Sequence, residues 1–223
     1  RAVMISRLVC LAKGYSGVRL ALLEALVQLI NSGLTPAIPA YGSVGASGDL
    51  TPLSYLGALL CGERQAYFQG RLLPASTALE MRGIAPFSFE IKEGLSLING
   101  TSVMSAVGTL VAFRTRRLLE LAERASALAL EMIDGRAQAM HPTIHRAKPH
   151  PGQIASAERI LASLSGSQYA QDGTTASHPG REVQDRYSIR CAPHVLGAVR
   201  DALARARRTR ARTCRGGTAE QQQ

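Results

Sequence analysis

The chain has 223 residues, of which 46% are hydrophobic, and its 26 Lys and Arg against 16 Asp and Glu give a net charge of +10. That balance, with a mean hydropathy of +0.02, excludes a polar disordered chain, and no run reaches the roughly 18 uninterrupted apolar residues of a membrane span. Cys10, Cys61, Cys191 and Cys214 are scattered without a C-x-x-C pair, against a zinc ribbon or disulfide scaffold and in favour of a reducing cytoplasm.

The opening "RAVMISRLVCLAKGYSG" is helix-like from its first residue and lacks the ordered regions of a signal peptide. It begins with Arg1 rather than Met and reads as a piece of something longer. "SGVRLALLEALVQLINSG" places Val18, Leu22, Leu26, Leu29 and Ile30 near i, i+4 spacing, with Ser16 as the expected N-cap and Gly33 as the stop. A loop with Pro36, Pro39 and several glycines follows. Pro52 suits the first turn of the next helix, capped by Asp49 or Thr51. Residues 67–92 alternate turn signals with short apolar runs, and a small strand pair is expected about Gln69-Gly70.

From Ser102 to Ile133 the pattern predicts one long helix without proline. Val107, Val111, Leu118, Leu121, Leu128 and Met132 nearly encircle it, which predicts burial among other helices. The connection "AMHPTIHRAKPHPGQ" is punctuated by proline. His141, His145 and His150 cluster there, but Pro142, Pro149 and Pro151 disfavour a regular helix and no H-E-x-x-H is present, so a structural connector is expected and no metal. A helix about "QIASAERILASLSGS", a long polar stretch through "QDGTTASHPGREVQD", and a last helix with Pro193 near its start complete a mainly α chain. Long ordered loops of this kind are usually functional.

Between Arg200 and Gln223 seven arginines face only Asp201 and Glu220, so half of the net charge lies in the last 24 residues. A helical module that binds nucleic acid through this tail is the alternative from another class. Four Phe and no Trp offer no obvious stacking platform for it.

The informative loop is "GSVGASGDLTPLSY". It is not a P-loop, since Asp49 stands where a lysine is needed, and it is neither G-x-G-x-x-G nor the G-x-S-x-G elbow. It resembles the signature of the histidine/phenylalanine/tyrosine ammonia-lyase family. "KEGLSLINGTS", "HPTIHRAKPHPGQ", "VQDRYSIRCAPHVLG" and "LAKGYSGVR" resemble further blocks of that family, in family order over about residues 1–200.

The resemblance implies the long-helix bundle of ammonia-lyases and fumarases, with a short-strand or irregular segment near 67–92. It also implies a methylidene-imidazolone (MIO) group condensed from Ala46-Ser47-Gly48. The residue types suit that closure: the Gly48 amide must reach the Ala46 carbonyl without a Cβ in the way, and Ser47 then loses its hydroxyl. Asn99 would bond the cofactor and the substrate carboxylate, Tyr187 would assist cofactor formation or proton transfer, and Arg190 would hold the carboxylate through its planar fork, supported by Gln184.

The implied reaction removes ammonia from an aromatic L-amino acid, in a cytoplasmic homotetramer. Arg186 and "KPHPGQ" lean towards phenylalanine or tyrosine, with histidine ammonia-lyase or an aromatic aminomutase as alternatives. The family's tyrosine base and a later glutamate region have no counterpart here, so residues 1–204 read as a partial catalytic core. "RRTRARTCRGGTAEQQQ", from about residue 205, departs from the family and reads as a disordered or out-of-frame basic tail.

Overall fold

The computed structural model describes the backbone of residues 1–44, 50–170 and 184–216, with side chains through residue 209. The chain divides into two compact units, Arg1–Leu110 and Val111–Arg215, the boundary along the sequence falling within the helix Ser102–Met132.

In the first unit, α1 (Ala2–Leu11) and α2 (Leu20–Ser32) bring Met4, Leu11, Leu22, Leu26 and Leu29 into one core. The i, i+4, i+7 spacing of the three α2 leucines puts them on one face, and each fully buried leucine contributes about 2 kcal/mol of transfer free energy. Arg19, not Ser16, occupies the N-cap of α2, and Gly33 ends the helix in the left-handed conformation at φ 80°. Next, α3 (Leu50–Leu60) buries Leu53, Leu56, Leu59 and Leu60. Thr51 lies inside this helix rather than capping it, while Asp49 falls outside the described residues.

The expected strand pair is present. β2 (Gln65–Phe68) and β3 (Arg71–Pro74) are antiparallel, with Phe68 opposite Arg71 and Gln65 opposite Pro74. Gln69 and Gly70 both have positive φ, 49° and 77°, which fits the two-residue turn whose twist matches a hairpin. The alternation of β2 turns Ala66 and Phe68 inward. A two-residue strand, β1 (Thr35–Pro36), joins the outer edge of β2. Two six-residue helices, α4 (Ala75–Glu80) and α5 (Glu93–Ile98), lead to α6 (Ser102–Met132), whose limits match the sequence pattern.

Among the described residues, the burial expected at six positions of α6 is not found, although Leu119, Ala127 and Leu130 of the same helix are buried. Val107, Val111, Leu118, Leu121, Leu128 and Met132 are all more than half exposed. Their apolar character therefore answers to no neighbour among the described residues. A window within residues 93–132 reaches a mean hydropathy of 1.4, enough by length and composition to cross a membrane. The helix is interrupted at Asn99–Thr101, however, and its uncharged part from Ser102 to Phe113 is about 18 Å long, against a hydrocarbon core of about 30 Å.

In the second unit a 3₁₀ turn (Ala137–Met140), α7 (Pro142–Ala147), α8 (Pro151–Ser163), α9 (Tyr187–Arg190) and α10 (Ala192–Gly216) follow α6. The prolines do not exclude helix here: Pro142 and Pro151 each stand at a first helical position, where the missing N–H is no loss. Leu130, Met140, Ile160 and Leu164 form the core. A buried polar node crosses it. Arg200 of α10 donates to both Glu123 oxygens of α6 at 2.6 and 2.8 Å, and Ser156 of α8 donates to the same carboxylate at 2.7 Å.

Helices α8 and α10 cross at two glycines. A Cβ on Gly152 would fall on the Gly197 carbonyl oxygen, and one on Gly197 would fall on the backbone of Gln153. The Gly152 N–H, free at the start of α8, donates to Asp201 at 2.9 Å. The tail boundary placed at residue 205 has no counterpart in the backbone. The α10 helix continues to Gly216, because the alanines and arginines after Arg205 are good helix formers and no proline or glycine interrupts them.

Candidate active site

The sequence singles out two clusters of described residues, one in each unit. Ala46, Ser47 and Gly48 lie outside the described residues. On either side of them the backbone is described at Val44 and, at the start of α3, Leu50.

Asn99 lies in the first unit, in extended conformation at the C-cap of α5, where its N–H donates to the Leu95 carbonyl at 2.9 Å. The helix before it is held at both ends. Glu93, in the first turn, is 2% exposed. Its carboxylate accepts from the Arg19 backbone N–H and Nε, both at 3.0 Å, from Arg19 Nη2 at 2.7 Å, and from the Glu90 N–H at 2.9 Å. The Arg19 guanidinium, above all, holds the Glu93 carboxyl down at about 2, against an ordinary 4.5, although burial works in the opposite direction. The same pairing raises Arg19 above its ordinary value. At the other end Arg7, buried in α1, donates to the Asn99 carbonyl at 3.0 Å and to the Ser96 carbonyl.

Gln184, Tyr187 and Arg190 are brought together in the second unit. The short helix α9 sets Tyr187 and Arg190 one turn apart, and the Arg190 guanidinium lies 4.3 Å from the Tyr187 ring centroid, in cation–π range. Arg190 Nη1 donates to Gln184 Oε1. Its Nε is buried with no partner among the described residues. Tyr187 itself is 72% exposed. Arg190, Gln184, Cys191 and His194 line a cavity of about 480 Å³ together with Arg136 and Asp185. Asp185 in turn accepts from the Arg136 N–H at 2.6 Å. A guanidinium at the edge of such a cavity is suited to a small carboxylate.

Two of the three connector histidines, His141 and His145, are occupied structurally. His141 caps α7, its Nδ1 accepting from the Thr143 N–H at 3.3 Å. His145 is buried; its Nε2 is 3.0 Å from the Ala139 carbonyl, which can only accept, so that nitrogen carries the proton. Its Nδ1 then accepts from Gln153 Nε2 at 2.9 Å, leaving no lone pair for a metal. Burial lowers the His145 pKa most; the Ala139 hydrogen bond opposes that shift and nearby His194 adds to it. No group of three metal-ligating side chains occurs among the described residues.

Sequence reasoning passed over Arg7, Arg19, Glu93 and Gln153. A signal for Arg7 was present: the buried positions of α1 are Met4, Arg7 and Leu11, so a cation stands on an apolar stripe.

The architecture is that of a long-helix protein whose second unit carries an arginine-lined cavity. Over 96% of this chain and 43% of the other, the fold matches tyrosine aminomutase from Streptomyces globisporus, with a TM-score of 0.87 and 37% identity. Histidine ammonia-lyase from Trypanosoma cruzi matches over 90% of this chain and 36% of its own, with a TM-score of 0.77 and 33% identity. In sequence, histidine ammonia-lyase from Gloeobacter violaceus is 47% identical over 205 residues, covering 92% of this chain and 39% of that protein. The model of the aromatic amino acid lyase family matches residues 1–217, and the chain belongs to that family. It spans about two fifths of the length of the curated relatives it matches.

Proposed function

We propose that the chain supplies part of the active site of an ammonia-lyase acting on an aromatic L-amino acid, with histidine the first candidate and urocanate the product. The observation that carries this is the 47% identity, across 92% of the chain, to a histidine ammonia-lyase. Further curated relatives at 42–44% bear the same name. The lean towards phenylalanine or tyrosine, drawn from Arg186 and "KPHPGQ", gains no support from these relatives. The histidine alternative fits better, and "LAKGYSGVR" and "SIRCAPHVLG" are equally at home in it. Aminomutase chemistry is the second reading, favoured by the fold match to tyrosine aminomutase.

The residues present fit an MIO group by their chemistry: an unhindered glycine amide at Gly48, a small acyl donor at Ala46 and a dehydratable hydroxyl at Ser47. That group would supply the electrophile that activates the substrate. Arg190 is assigned the substrate carboxylate, since its planar fork offers paired donors at the edge of the cavity. Gln184 orients that guanidinium. Tyr187, exposed beside it, is assigned proton transfer. Asn99 is assigned hydrogen bonds to the carboxylate and the prosthetic group.

The exposed apolar face of α6 supports subunit packing, and a homotetramer is the proposed assembly. The free thiols of Cys10, Cys61 and Cys191 support a cytoplasmic setting. Intact-mass analysis of the chain, with Ser47→Ala as the unmodified reference, tests the condensation. Urocanate, cinnamate and coumarate formation by the complete enzyme tests the substrate. A full-mass wild type or turnover of phenylalanine in preference to histidine would overturn the respective part.

A further inference from the structure

We infer that Arg7 is a positioning residue for Asn99: its guanidinium, buried between α1 and the end of α5, fixes the Asn99 and Ser96 carbonyls and thereby sets how the Asn99 amide is presented. The role depends on the function assigned to Asn99 above.

Four observations support it. First, the last carbonyls of a helix have no intrahelical donors, and a six-residue helix such as α5 has little other means of holding its end. Arg7 donates to the two carbonyls that flank that end, at 3.0 Å for Asn99. The partial negative charge there favours a cation.

Second, Gly100 is explained by the same guanidinium. Its φ is not among the positive values, so no left-handed turn demands glycine at this position. A Cβ on Gly100 would instead fall on Arg7 Nη1. The Asn99-Gly100 pair thus leaves the space that the arginine fills.

Third, Arg7 is 3% exposed, and among the described residues no carboxylate pairs with it. Its Nε is buried without a partner, and its remaining contact is a long one from Nη1 to Cys10 Sγ at 3.6 Å. A buried guanidinium without a counter-ion is a costly way to fill a core, and a methionine would pack there at lower cost. What a methionine cannot do is donate to two carbonyls at once. Burial accordingly lowers the pKa of Arg7 from its ordinary value.

Fourth, the opposite end of α5 is pinned independently by Arg19 and Glu93. With both ends fixed, the orientation of the residue leaving the helix is determined by the fold rather than by its own torsional preference.

The test is a double-mutant cycle of Arg7→Met and Asn99→Ala in the complete enzyme, with amide hydrogen exchange measured alongside turnover. Arg7→Met is expected to keep cooperative unfolding, to accelerate exchange at residues 99–101 selectively, and to lower kcat/KM about tenfold or more. In the Asn99→Ala background it should have no further effect on kcat/KM, because the pathway through Asn99 is already broken. Arg7→Lys serves if Arg7→Met does not fold: both bonds come from the single nitrogen Nη2, so the shorter ammonium is expected to keep part of the contact and to give the same selective changes at smaller size. Exchange at residues 99–101 left at the wild-type rate, or kcat/KM losses that multiply in the double variant, would overturn the positioning role. If the wild-type enzyme deaminates no aromatic amino acid, the proposed function fails by itself; the exchange measurement then decides for or against the fixing of Asn99 by Arg7.

Discussion

Asn99 and Arg190 are held in opposite ways. Asn99 follows a helix pinned from far along the chain, by Arg7 from 92 residues away and, through Glu93, by Arg19 from 74 away. Arg190 is held by its own neighbourhood, with Gln184 six residues before it and Tyr187 three. The first arrangement relies on two buried charged side chains, Arg7 and Glu93, with Arg19 half-exposed; the second is half-exposed and borders a cavity. On the proposed function, the contrast separates two tasks. A group that must present one amide in one direction benefits from preorganisation by the fold, whereas a cation that must accept and release a ligand keeps part of its hydrogen-bonding capacity unspent.

If burial, rather than proximity to the site, sets the cost of breaking such contacts, the largest effect should come from a place with no catalytic assignment. Glu123→Ala strips the counter-ion from Arg200 and the partner from Ser156 inside the second unit. It is expected to cost about 3 kcal/mol of stability, measured by urea denaturation, since it leaves a partly buried cation unpaired. A cost below about 1 kcal/mol would mean that Arg200 finds water at little penalty, and the comparison would lose its premise.

Gly197→Ala comes next. Its Cβ would meet the Gln153 backbone, which cannot swing aside as a side chain can. Separation of α8 and α10 should cost about 2 kcal/mol and loosen Gln153 from His145, detectable as a rise in the His145 pKa by NMR titration. An unchanged imidazole titration would show that the helix crossing does not position that pair.

The third prediction concerns acid. Because Glu93 is held at about 2 rather than 4.5, the folded state binds fewer protons than the unfolded chain between those values. The stability from the Arg19 pair is therefore complete above the ordinary carboxylate value and drains away as pH falls towards about 2. Glu93→Gln should lower the neutral-pH melting temperature and flatten the thermal-stability profile across that window. A profile as steep as the wild type would place the acid sensitivity elsewhere. His145 acts in the same direction at higher pH. Its lowered pKa makes the folded state resist protonation, so stability falls as pH drops below its ordinary 6.5.

The smallest stability effect is expected from Gln184→Ala. The residue is exposed, and removing it frees Arg190 without opening a cavity, so stability should change by less than about 0.5 kcal/mol. On the proposed function, KM should rise several-fold with kcat little changed, because orientation of a ground-state carboxylate contact is what is lost. A fall in kcat at constant KM would move Gln184 from substrate binding to the chemical step.

The limits of α6, the hairpin at Gln69-Gly70 and the Gly33 stop were legible because each depends on residues adjacent in sequence: periodicity, a two-residue turn, a missing Cβ. The roles proposed for Asn99, Gln184, Tyr187 and Arg190 rest on resemblance to a family rather than on any property of an isolated asparagine or tyrosine. The helix starts at Pro142 and Pro151 were misjudged, since proline was weighed as a breaker when its position made it an initiator. The exposure of α6 was misjudged for another reason. Periodicity reports that a face is apolar; it does not report whether the covering surface belongs to the same chain.

By itself, the sequence determined the helical class, the family and the chemistry available at Ala46-Ser47-Gly48, because these are written in contiguous residues. Only the tertiary structure decided that Arg7 supports Asn99, that Glu93 pairs with Arg19, that Arg200 answers Glu123, and that Gly100, Gly152 and Gly197 are glycines because other groups occupy the space of a side chain. Those pairings join residues from 44 to 93 positions apart, and no local propensity encodes which distant donor will meet a given acceptor once the chain has closed.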